Sequence, residues 1–360
     1  MKAPKLEILE AAKAAGLFKL ARRRTARGIR VLCYHGLWTG DDVFPGDAMF
    51  MQKRTFERRL EIIRREGYPV VSLTAAVEGL MGRGPALPPA AVVITIDDGW
   101  FSSYDGMLPA LQRRGMPATL YCDTAQLAAG RPIAHVLARY LGRIANKTSP
   151  ERLAAKPDAM AANAARKIAT DLTRPYDERL AATRQLATAL GLDIAPYLAR
   201  RAFGYMTIDE LNDAAMRGLE VELHTHRHTL GDMSRAVIED EIGRNRDSLA
   251  AMLGRPVLSF QHFCYPSGVA TADAAAVLAS LNLTSSTTTE QGLAWPGQPL
   301  HLLPRLLDGE NLSEIEFEAE LSGFGDWLRR GKRATQGLVG GRRGAPGAAV
   351  VPIQNVAQNV

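Results

Sequence analysis

The sequence predicts an α/β protein whose strands form a parallel sheet or barrel. Short apolar runs alternate along the chain with amphipathic segments of helical period, which is the pattern of repeated β–α units. The run Ala91–Ile96 is apolar almost throughout, as expected for a strand that is buried on both faces. Several of these runs end at acidic or histidine residues, so the pattern places chemically active side chains at strand ends.

The first third of the chain follows the order strand, helix, strand. Thr55 is expected to cap a helix that ends near Glu66, because Gly67 then provides a stop. The segment Pro109–Gly115 belongs to a later helix. The predicted strands of this part are Ile29–Tyr34, Val70–Leu73, Ala91–Ile96 and Ala118–Cys122.

A helical insertion is predicted over about 130–205, where Ala, Leu, Arg and Lys dominate. It carries no cluster of chemically active residues, so packing and substrate gating both stay open as its role.

Helices then resume with a capping box at Thr207–Glu210 and with Ser234, which is expected to cap a helix to about Leu253. The predicted strands of this part are Leu219–Leu223, Val257–Tyr265, Leu281–Thr289 and Leu300–Leu307.

Basic residues are concentrated at the two ends of the chain. The net charge is +6, but Lys and Arg crowd the ends and leave the body between them acidic. We therefore expect a basic N-terminal helix over 1–28, one large domain over 29–328 and a disordered basic tail over 329–360. No recognised nucleic-acid motif accompanies the high pI, so no nucleic-acid partner is expected.

Two interpretations of the N-terminal segment stay open. Leu6, Leu9, Leu17 and Leu20 would share one helical face, with Arg22–Arg24 following. Such a helix would either pack on the body or make a peripheral contact with an anionic membrane surface. Lysines interrupt each apolar stretch, so neither a signal peptide nor a membrane-spanning helix is predicted. The expected location is cytoplasmic or peripheral at the inner face of the membrane.

Two adjacent carboxylates, Asp97 and Asp98, follow the strand Ala91–Ile96 directly. Two such charges at one buried strand end repel each other and are costly without a counter-charge, which a metal ion would supply. The alternative is an ordinary turn in which one aspartate caps the next helix and Gly99 provides the bend. Taken alone, this pair does not decide between the two.

Three histidines lie within five residues, just past the strand Leu219–Leu223. Histidine is a common metal ligand, and the spacing lets His224 and His228 converge on one ion if the segment turns helically. His226 and Arg227 would then point away. The alternative is a solvated, histidine-rich loop.

The acidic pair and the histidines are more informative together than apart. One aspartate and two histidines form a two-histidine, one-carboxylate metal site with open positions. The second aspartate remains beside the metal, where a hydrolase needs a base to take a proton from water. The three cysteines show neither a zinc spacing nor a disulfide framework and are expected to be small buried residues: Cys33, Cys122 and Cys264.

These motifs resemble those of polysaccharide deacetylases with a NodB homology domain. Thr95–Gly99 is similar to the TFDDG motif, and His224-Thr225-x-x-His228 is similar to the H-[S/T]-x-x-H motif. The strand that ends in Phe263–Gly268 resembles the third motif, F-x-Y-P-[YF]-G. Leu32–His35 resembles the L-x-Y-H start of one large bacterial branch, and Leu303–Arg305 resembles the L-P-R strand near the end of that branch. The resemblance covers roughly residues 30 to 325.

The resemblance implies a distorted (β/α) barrel of about seven strands and a metal-dependent hydrolase. It would remove N-acetyl groups from an amino-sugar polysaccharide, oligosaccharide or glycan precursor, in a bacterial exopolysaccharide or cell-envelope context. Asp97 would be the general base for a water bound to a divalent metal, zinc foremost, with cobalt or nickel as alternatives. The implied metal ligands are Asp98, His224 and His228; the implied substrate-binding residues are Thr225, Tyr265, Pro266, Ser267 and Gly268.

Three positions depart from the family pattern. Ser267 stands where an aromatic residue is usual, which removes a stacking platform for a sugar. Cys264 stands where an arginine often orients the base; Arg305 is expected to pair with a site carboxylate such as Asp97 instead, the alternative being a surface arginine. The general-acid histidine has no clear counterpart, and His301 and His35 are both candidates.

Two other functions stay open. One is a related C–N hydrolase, such as a deformylase that acts on a lipid-linked amino sugar, which the basic N-terminus favours mildly. The other is a catalytically silent domain that binds a glycan or a partner, which the intact acidic pair and histidines argue against. The expected partner in the main interpretation is an N-acylated glycan or amino-sugar substrate.

Overall fold

The computed structural model describes residues 3–40, 43–46, 49–147 and 158–339, and a closed barrel forms its centre. Seven parallel strands close the barrel, and two more form a small separate sheet. The strands are β1 (Arg30–Tyr34), β2 (Gly36–Trp38), β3 (Phe50–Gln52), β4 (Val92–Ile96), β5 (Thr119–Cys122), β6 (Glu220–Leu223), β7 (His262–Cys264), β8 (Ser285–Gln291) and β9 (Leu303–Leu307).

Helices surround the barrel and fill the connections between its strands. A π-helical turn, Ser103–Met107, precedes α5, and three 3₁₀ turns lie at Val257–Ser259, Pro266–Gly268 and Leu300–Leu302. The α-helices are α1 (Ala3–Ala14), α2 (Leu17–Arg24), α3 (Lys53–Arg65), α4 (Leu73–Leu80), α5 (Leu108–Gln112), α6 (Ala125–Ala128), α7 (Ala134–Ala145), α8 (Ala159–Thr170), α9 (Tyr176–Ala189), α10 (Ala195–Ala199), α11 (Ile208–Met216), α12 (Arg235–Leu253), α13 (Ala272–Ser280), α14 (Glu314–Leu321) and α15 (Phe324–Val339).

The prediction of a seven-stranded (β/α) barrel is confirmed. The strands follow the order β1-β4-β5-β6-β7-β8-β9, and β9 pairs with β1 to close the ring. All five residues of β4 are buried, which explains the apolar character of its sequence. Because all seven strands run parallel, their carboxyl ends meet at one face of the barrel, where loops carry the functional groups of such folds.

The segment between β5 and β6 contains the helices of the predicted insertion. Helices α8 and α9 pack against each other and against α7 through small residues, among them Ala162, Ala165 and Ala182, which are buried. Thr207 begins α11 with a reciprocal capping box to Glu210. The helices of the insertion therefore pack on one another, and their side chains can reach the barrel mouth.

Predicted elements differ from the structure at several places. Val70 makes only an isolated bridge to Val92, and Leu73 already begins α4, which Ser72 caps. Helix α3 begins at Lys53, and the Thr55 hydroxyl donates to Glu310 instead of capping the helix. The strand predicted over Val257–Tyr265 is reduced to β7, since Val257–Ser259 forms a 3₁₀ turn. In the two strand predictions an apolar run was long enough for a strand, but tertiary packing used it differently.

The N-terminal segment forms two helices because Gly16 between them adopts a left-handed conformation. Leu9 and Phe18 pack on Ile315, Ala319 and Phe324 of α14 and α15.

Helix α15 continues to Val339, so the expectation of disorder over 329–360 is wrong for residues 329–339. Residues 340–360 lie outside the described part. None of the described helices combines the length and the apolar character needed to cross a lipid bilayer.

One buried carboxylate predicts a pH dependence of stability. Glu222 on β6 accepts the backbone N–H groups of Gln261 and His262 at 2.9 and 2.8 Å, and burial raises its pKa from 4.5 to about 8. Its contribution to stability is therefore complete below the unfolded-state pKa and is lost as the pH rises through about 8. We expect Glu222→Gln to remove part of the decline between about pH 5 and about pH 9 in urea unfolding; an unchanged decline would contradict this assignment.

Candidate active site

The acidic pair and the histidine motif meet at the carboxyl face of the barrel. Asp97 and Asp98 follow β4, and His224 follows β6, which is separated from β4 only by β5. Both aspartates and His224 are buried, and His228 is partly exposed at the mouth. The residues are more than a hundred positions apart in sequence, and the closed sheet brings them into one cluster.

Asp98, His224 and His228 form a group of three potential ligands. The Nε2 atoms of His224 and His228 each lie 3.2 Å from Oδ1 of Asp98. That oxygen is buried, and no group in the described residues makes a hydrogen bond of good geometry to it. The two imidazole rings face it from different directions, with centroids 4.9 Å apart. A buried carboxylate oxygen without a hydrogen bond, facing two imidazole nitrogens, is the arrangement that a shared cation satisfies.

The spacing of these atoms fits a divalent cation. Zinc binds histidine nitrogen and carboxylate oxygen at about 2.0–2.2 Å, and in tetrahedral geometry such ligands lie roughly 3.3 Å apart. Nδ1 of His224 lies 2.7 Å from the carbonyl oxygen of Cys264. A proton on Nδ1 would be donated to that carbonyl, which leaves the lone pair of Nε2 facing the cluster. The donor set also suits cobalt or nickel, and geometry alone does not choose among them.

The histidine motif reaches this geometry through a tight, strained turn. Thr225 and His228 have φ values of 68° and 56°, in the left-handed region that disfavours side chains with a Cβ. The Thr225 hydroxyl accepts the N–H of Thr229 at 3.2 Å and holds the turn. His226 points away, with Nδ1 2.9 Å from the Thr124 hydroxyl, and Arg227 pairs with Glu241.

Asp97 forms a buried, bidentate pair with Arg305. Both guanidinium nitrogens Nη1 and Nη2 donate to the carboxylate at 2.8 Å, and Nε donates to the carbonyl of Thr288 at 2.8 Å. Burial by itself raises the pKa of Asp97, but Arg305 outweighs it and lowers the pKa to about 2. Asp97 is therefore ionised at neutral pH and is held in one orientation, as a proton acceptor requires.

Two thiols complete the surroundings of Asp97. The Sγ atoms of Cys33 and Cys264 lie 3.7 and 3.6 Å from Oδ2 of Asp97. Burial raises the pKa of the Cys33 thiol, so it stays protonated and can donate weakly to the carboxylate. Arg305 donates to Sγ of Cys264 at 3.1 Å. The guanidinium of this β9 residue therefore lies next to the β7 position that Cys264 occupies. The cysteines are buried, as predicted, but two of them contact the site.

Of the two histidines considered as general acid, only one lies in the site. His35 lines the cavity, with Nε2 3.8 Å from Oδ2 of Asp97. His301 precedes β9, at the amino end of that strand, and its Nδ1 lies 3.0 Å from the Ser286 hydroxyl. His301 is not among the residues that line the cavity, so its interpretation as a general acid is wrong.

The third motif forms one wall of the cavity. Tyr265, Ser267 and Gly268 line it, and Pro266 lines a smaller adjoining cavity that Ser267 also touches. Ser267 has a φ of 56°, so it shares the left-handed backbone conformation of Asp98 and of the two residues of the histidine turn. Thr225 lines neither cavity, so its interpretation as a substrate-binding residue is wrong; its hydroxyl is used inside the turn.

Gly268 is required for two reasons. Its φ is +70°, and a Cβ built there would lie 1.9 Å from the Thr289 hydroxyl oxygen on β8. Gly268→Ala is therefore expected to destabilise the protein by roughly 1–3 kcal/mol, because either the turn or β8 must shift. Gly218→Ala is the matched control, since Gly218 also has a positive φ, of 93°, but has open space at the Cβ position. Equal destabilisation of the two variants in urea unfolding would show that the contact with Thr289 is unimportant.

The main cavity has a volume of about 930 Å³ and extends well beyond the candidate site residues. At one end it contains Asp97, His224 and His228. At the other it runs between α1, α14 and α15, where charged residues and apolar residues line it together. The charged residues are Lys5, Glu316, Glu320 and Arg329, and the apolar residues are Leu9, Leu312, Ala319, Phe324 and Leu328. A smaller cavity of about 260 Å³ opens on the opposite side of His228, beneath the helical insertion.

Sequence reasoning missed several residues that shape the site. Asn245 of α12 accepts the backbone N–H of His224 at 2.9 Å and donates to the Cys122 carbonyl at 3.1 Å. Asp123 follows β5, accepts from the Tyr205 hydroxyl at 3.2 Å, and has its pKa raised by burial to about 7. The strand-end position of Asp123 was a usable signal, whereas an asparagine inside a long helix carries none.

Comparisons with known proteins agree with this architecture. A family model described as polysaccharide deacetylase matches residues 197–286, a segment that contains His224, His228 and the third motif. No curated protein sequence matches the chain.

Three solved structures illustrate the shared fold. The deacetylase PplD of Streptococcus pyogenes, solved in complex with acetate, has 18% identity and a TM-score of 0.52, over 79% of this chain and 94% of that one. IcaB from Ammonifex degensii has 18% identity and a TM-score of 0.52, over 82% and 97%. A de-N-acetylase from Aggregatibacter actinomycetemcomitans has 15% identity and a TM-score of 0.52, over 81% and 99%.

Proposed function

We propose that this chain, which belongs to the polysaccharide deacetylase family of the NodB type, is a metal-dependent hydrolase that removes N-acetyl groups from an amino-sugar glycan or glycan precursor. The observation that carries the proposal is that two adjacent carboxylates make different contacts. Asp98 faces His224 and His228 as a third ligand, while the Asp97 carboxylate accepts two hydrogen bonds from Arg305. One acidic group is thus left ionised and oriented beside the cation site.

The chain's own groups supply the proton transfers. A divalent cation held by Asp98, His224 and His228 would lower the pKa of water and polarise the amide carbonyl. Asp97 would accept the proton from water, and Arg305 keeps its carboxylate in place. His35, which lies beside Asp97 and lines the cavity, is positioned to donate a proton to the leaving amine.

The proposal is tested by a screen for amine release from acylated amino sugars and their oligomers, with zinc or cobalt added. Acetate and free amine should appear in equal amounts, because hydrolysis of each amide yields one of each. Asp97→Asn serves as the inactive control. Bound metal without turnover on any acylated amino sugar would instead support a silent glycan-binding domain.

A second candidate, a C–N hydrolase on a lipid-linked amino sugar, is favoured by the apolar residues at one end of the main cavity. A lipid chain could lie against Leu9, Phe324 and Leu328 while the sugar reaches Asp97. Leu20 is also partly exposed on α2, beside Lys19 and Arg23, which form no ion pair in the described residues. Comparing acetate with formate release, on water-soluble and on lipid-linked substrates in anionic vesicles, separates the two candidates.

A further inference from the structure

The smaller cavity lies between the helical insertion and the loop that carries His228. Its volume is about 260 Å³, and residues of α7 and α9 form the wall that faces this loop. His228 and Ser267 line both this cavity and the main one. A substrate whose amide lies at the cation site can therefore extend a neighbouring group into the smaller cavity.

Arg179 of α9 brings an uncompensated positive charge to this cavity. Its Nε atom is buried without a hydrogen-bond partner, and its guanidinium forms no ion pair with any described residue. No carboxylate of the described chain lines the cavity. Asp171, which acts on Arg179 only through its charge, accepts hydrogen bonds from Thr173 and pairs with Arg174. A half-buried guanidinium without a partner is costly, and an anion from outside would offset that cost.

The other polar groups of the cavity supply neither a counter-charge for Arg179 nor a second unpaired cation. Oε1 of Gln126 is buried without a hydrogen-bond partner. Burial lowers the pKa of His135 to about 3, so it is uncharged at neutral pH and adds no second cation. The remaining arginine of the lining, Arg227, is already paired with Glu241 and Asp240.

An aromatic contact does not replace the missing counter-charge. The guanidinium of Arg179 lies 5.6 Å from the ring centroid of Tyr176, near the limit of a cation–π contact. Arg131 approaches the same ring to 4.7 Å and also pairs with Asp177. The hydroxyl of Tyr176 donates to the carbonyl of Pro132 at 2.6 Å.

We propose that this cavity is a substrate subsite in which Arg179 binds an anionic group, a carboxylate or a phosphate, carried by the glycan next to the amide that is hydrolysed. The inference rests on the proposed function and adds a substrate class to it: acidic amino-sugar glycans. Guanidinium groups bind both anions through two parallel N–H donors, so the two share one recognition chemistry. The helical insertion then acts in substrate selection.

The test compares three N-acetylated oligosaccharides of equal length: one neutral, one with a carboxylate and one with a phosphate on the neighbouring sugar. For the anionic substrate that fits, Arg179→Gln should raise KM by roughly 10–100-fold with kcat nearly unchanged, the usual effect of losing a hydrogen bond to a charged group. KM for the neutral substrate should stay the same. Arg131→Gln is the matched control, because it removes a neighbouring arginine that does not line the cavity.

Calorimetry with the deacetylated acidic products separates this inference from the proposed function. Binding to the metal-loaded wild-type protein, weakened by Arg179→Gln but not by Arg131→Gln, supports the subsite even where no substrate turns over. Equal KM values for neutral and anionic substrates, or equal binding of acidic products to wild type and Arg179→Gln, would overturn it. Which anion responds to the substitution tells the carboxylate from the phosphate.

Discussion

Asp97→Asn is expected to lower kcat by roughly two to four orders of magnitude, the usual range for the loss of a general base. Asparagine keeps the size of the side chain and can still accept one hydrogen bond from Arg305, but it cannot take a proton from water. Metal content should stay close to that of the wild type, because Asp97 is paired with Arg305 and is not one of the three proposed ligands. The rate is measured as amine release per folded, metal-loaded protein.

The same substitution will also affect stability, and this must be separated from the chemistry. It removes the counter-charge of a guanidinium that is 1% exposed, and breaking such a buried pair costs up to about 3–5 kcal/mol. Asp308→Asn is the matched control, since Asp308 is a second buried carboxylate that is paired with an arginine, Arg59, and lines the same cavity without belonging to the cation site. We expect it to lose stability while kcat changes by less than about tenfold.

The outcome that would contradict the assignment is specific. If Asp97→Asn and Asp308→Asn lower kcat by the same small factor, Asp97 has only a structural role. The proton would then be taken by another group, and His35 is the histidine nearest to Asp97 among those that line the cavity.

The parts of the site that could be predicted are those whose reactive residues lie close together in the sequence. Asp97 and Asp98 stand together at the end of an apolar run, and His224 and His228 stand one helical turn apart, so both signals survive without knowledge of the fold. The barrel follows from the alternation of strands and helices, because parallel strands need long connections. The pairing of Arg305 with Asp97 was accessible for the same reason, since β9 was recognised as a strand of the sheet.

The rest depends on contacts that no local pattern encodes. His35 and His301 were equal candidates, because only the closed barrel shows that His35 reaches Asp97 while His301 contacts Ser286 instead. Arg179 and His135 were missed because the packing of α7 and α9 decides which helical face looks into the cavity. Helix α15 was expected to be disordered from residue 329 on; it folds through packing of its amino end at Phe324 on α2 and through the pair Arg329–Glu320.

His224→Ala is expected to abolish both metal binding and turnover. Wild-type protein should carry about one divalent ion per chain, whereas the variant should carry close to none after gel filtration, because two of three ligands do not close a site. Bound metal at about 100 times its dissociation constant adds about 2.7 kcal/mol to stability, so a chelator should lower the melting temperature of the wild type and leave that of the variant unchanged.

The control for this substitution comes from the same turn. His226 lies two residues away, but its ring contacts Thr124 and not Asp98. His226→Ala should therefore keep its metal, its response to the chelator and most of its activity, at the cost of one hydrogen bond, about 1 kcal/mol. Equal loss of metal in both variants would mean that the five-residue segment binds ions as a flexible histidine-rich loop. In that case the 3.2 Å spacing around Asp98 would not describe the site that works in solution.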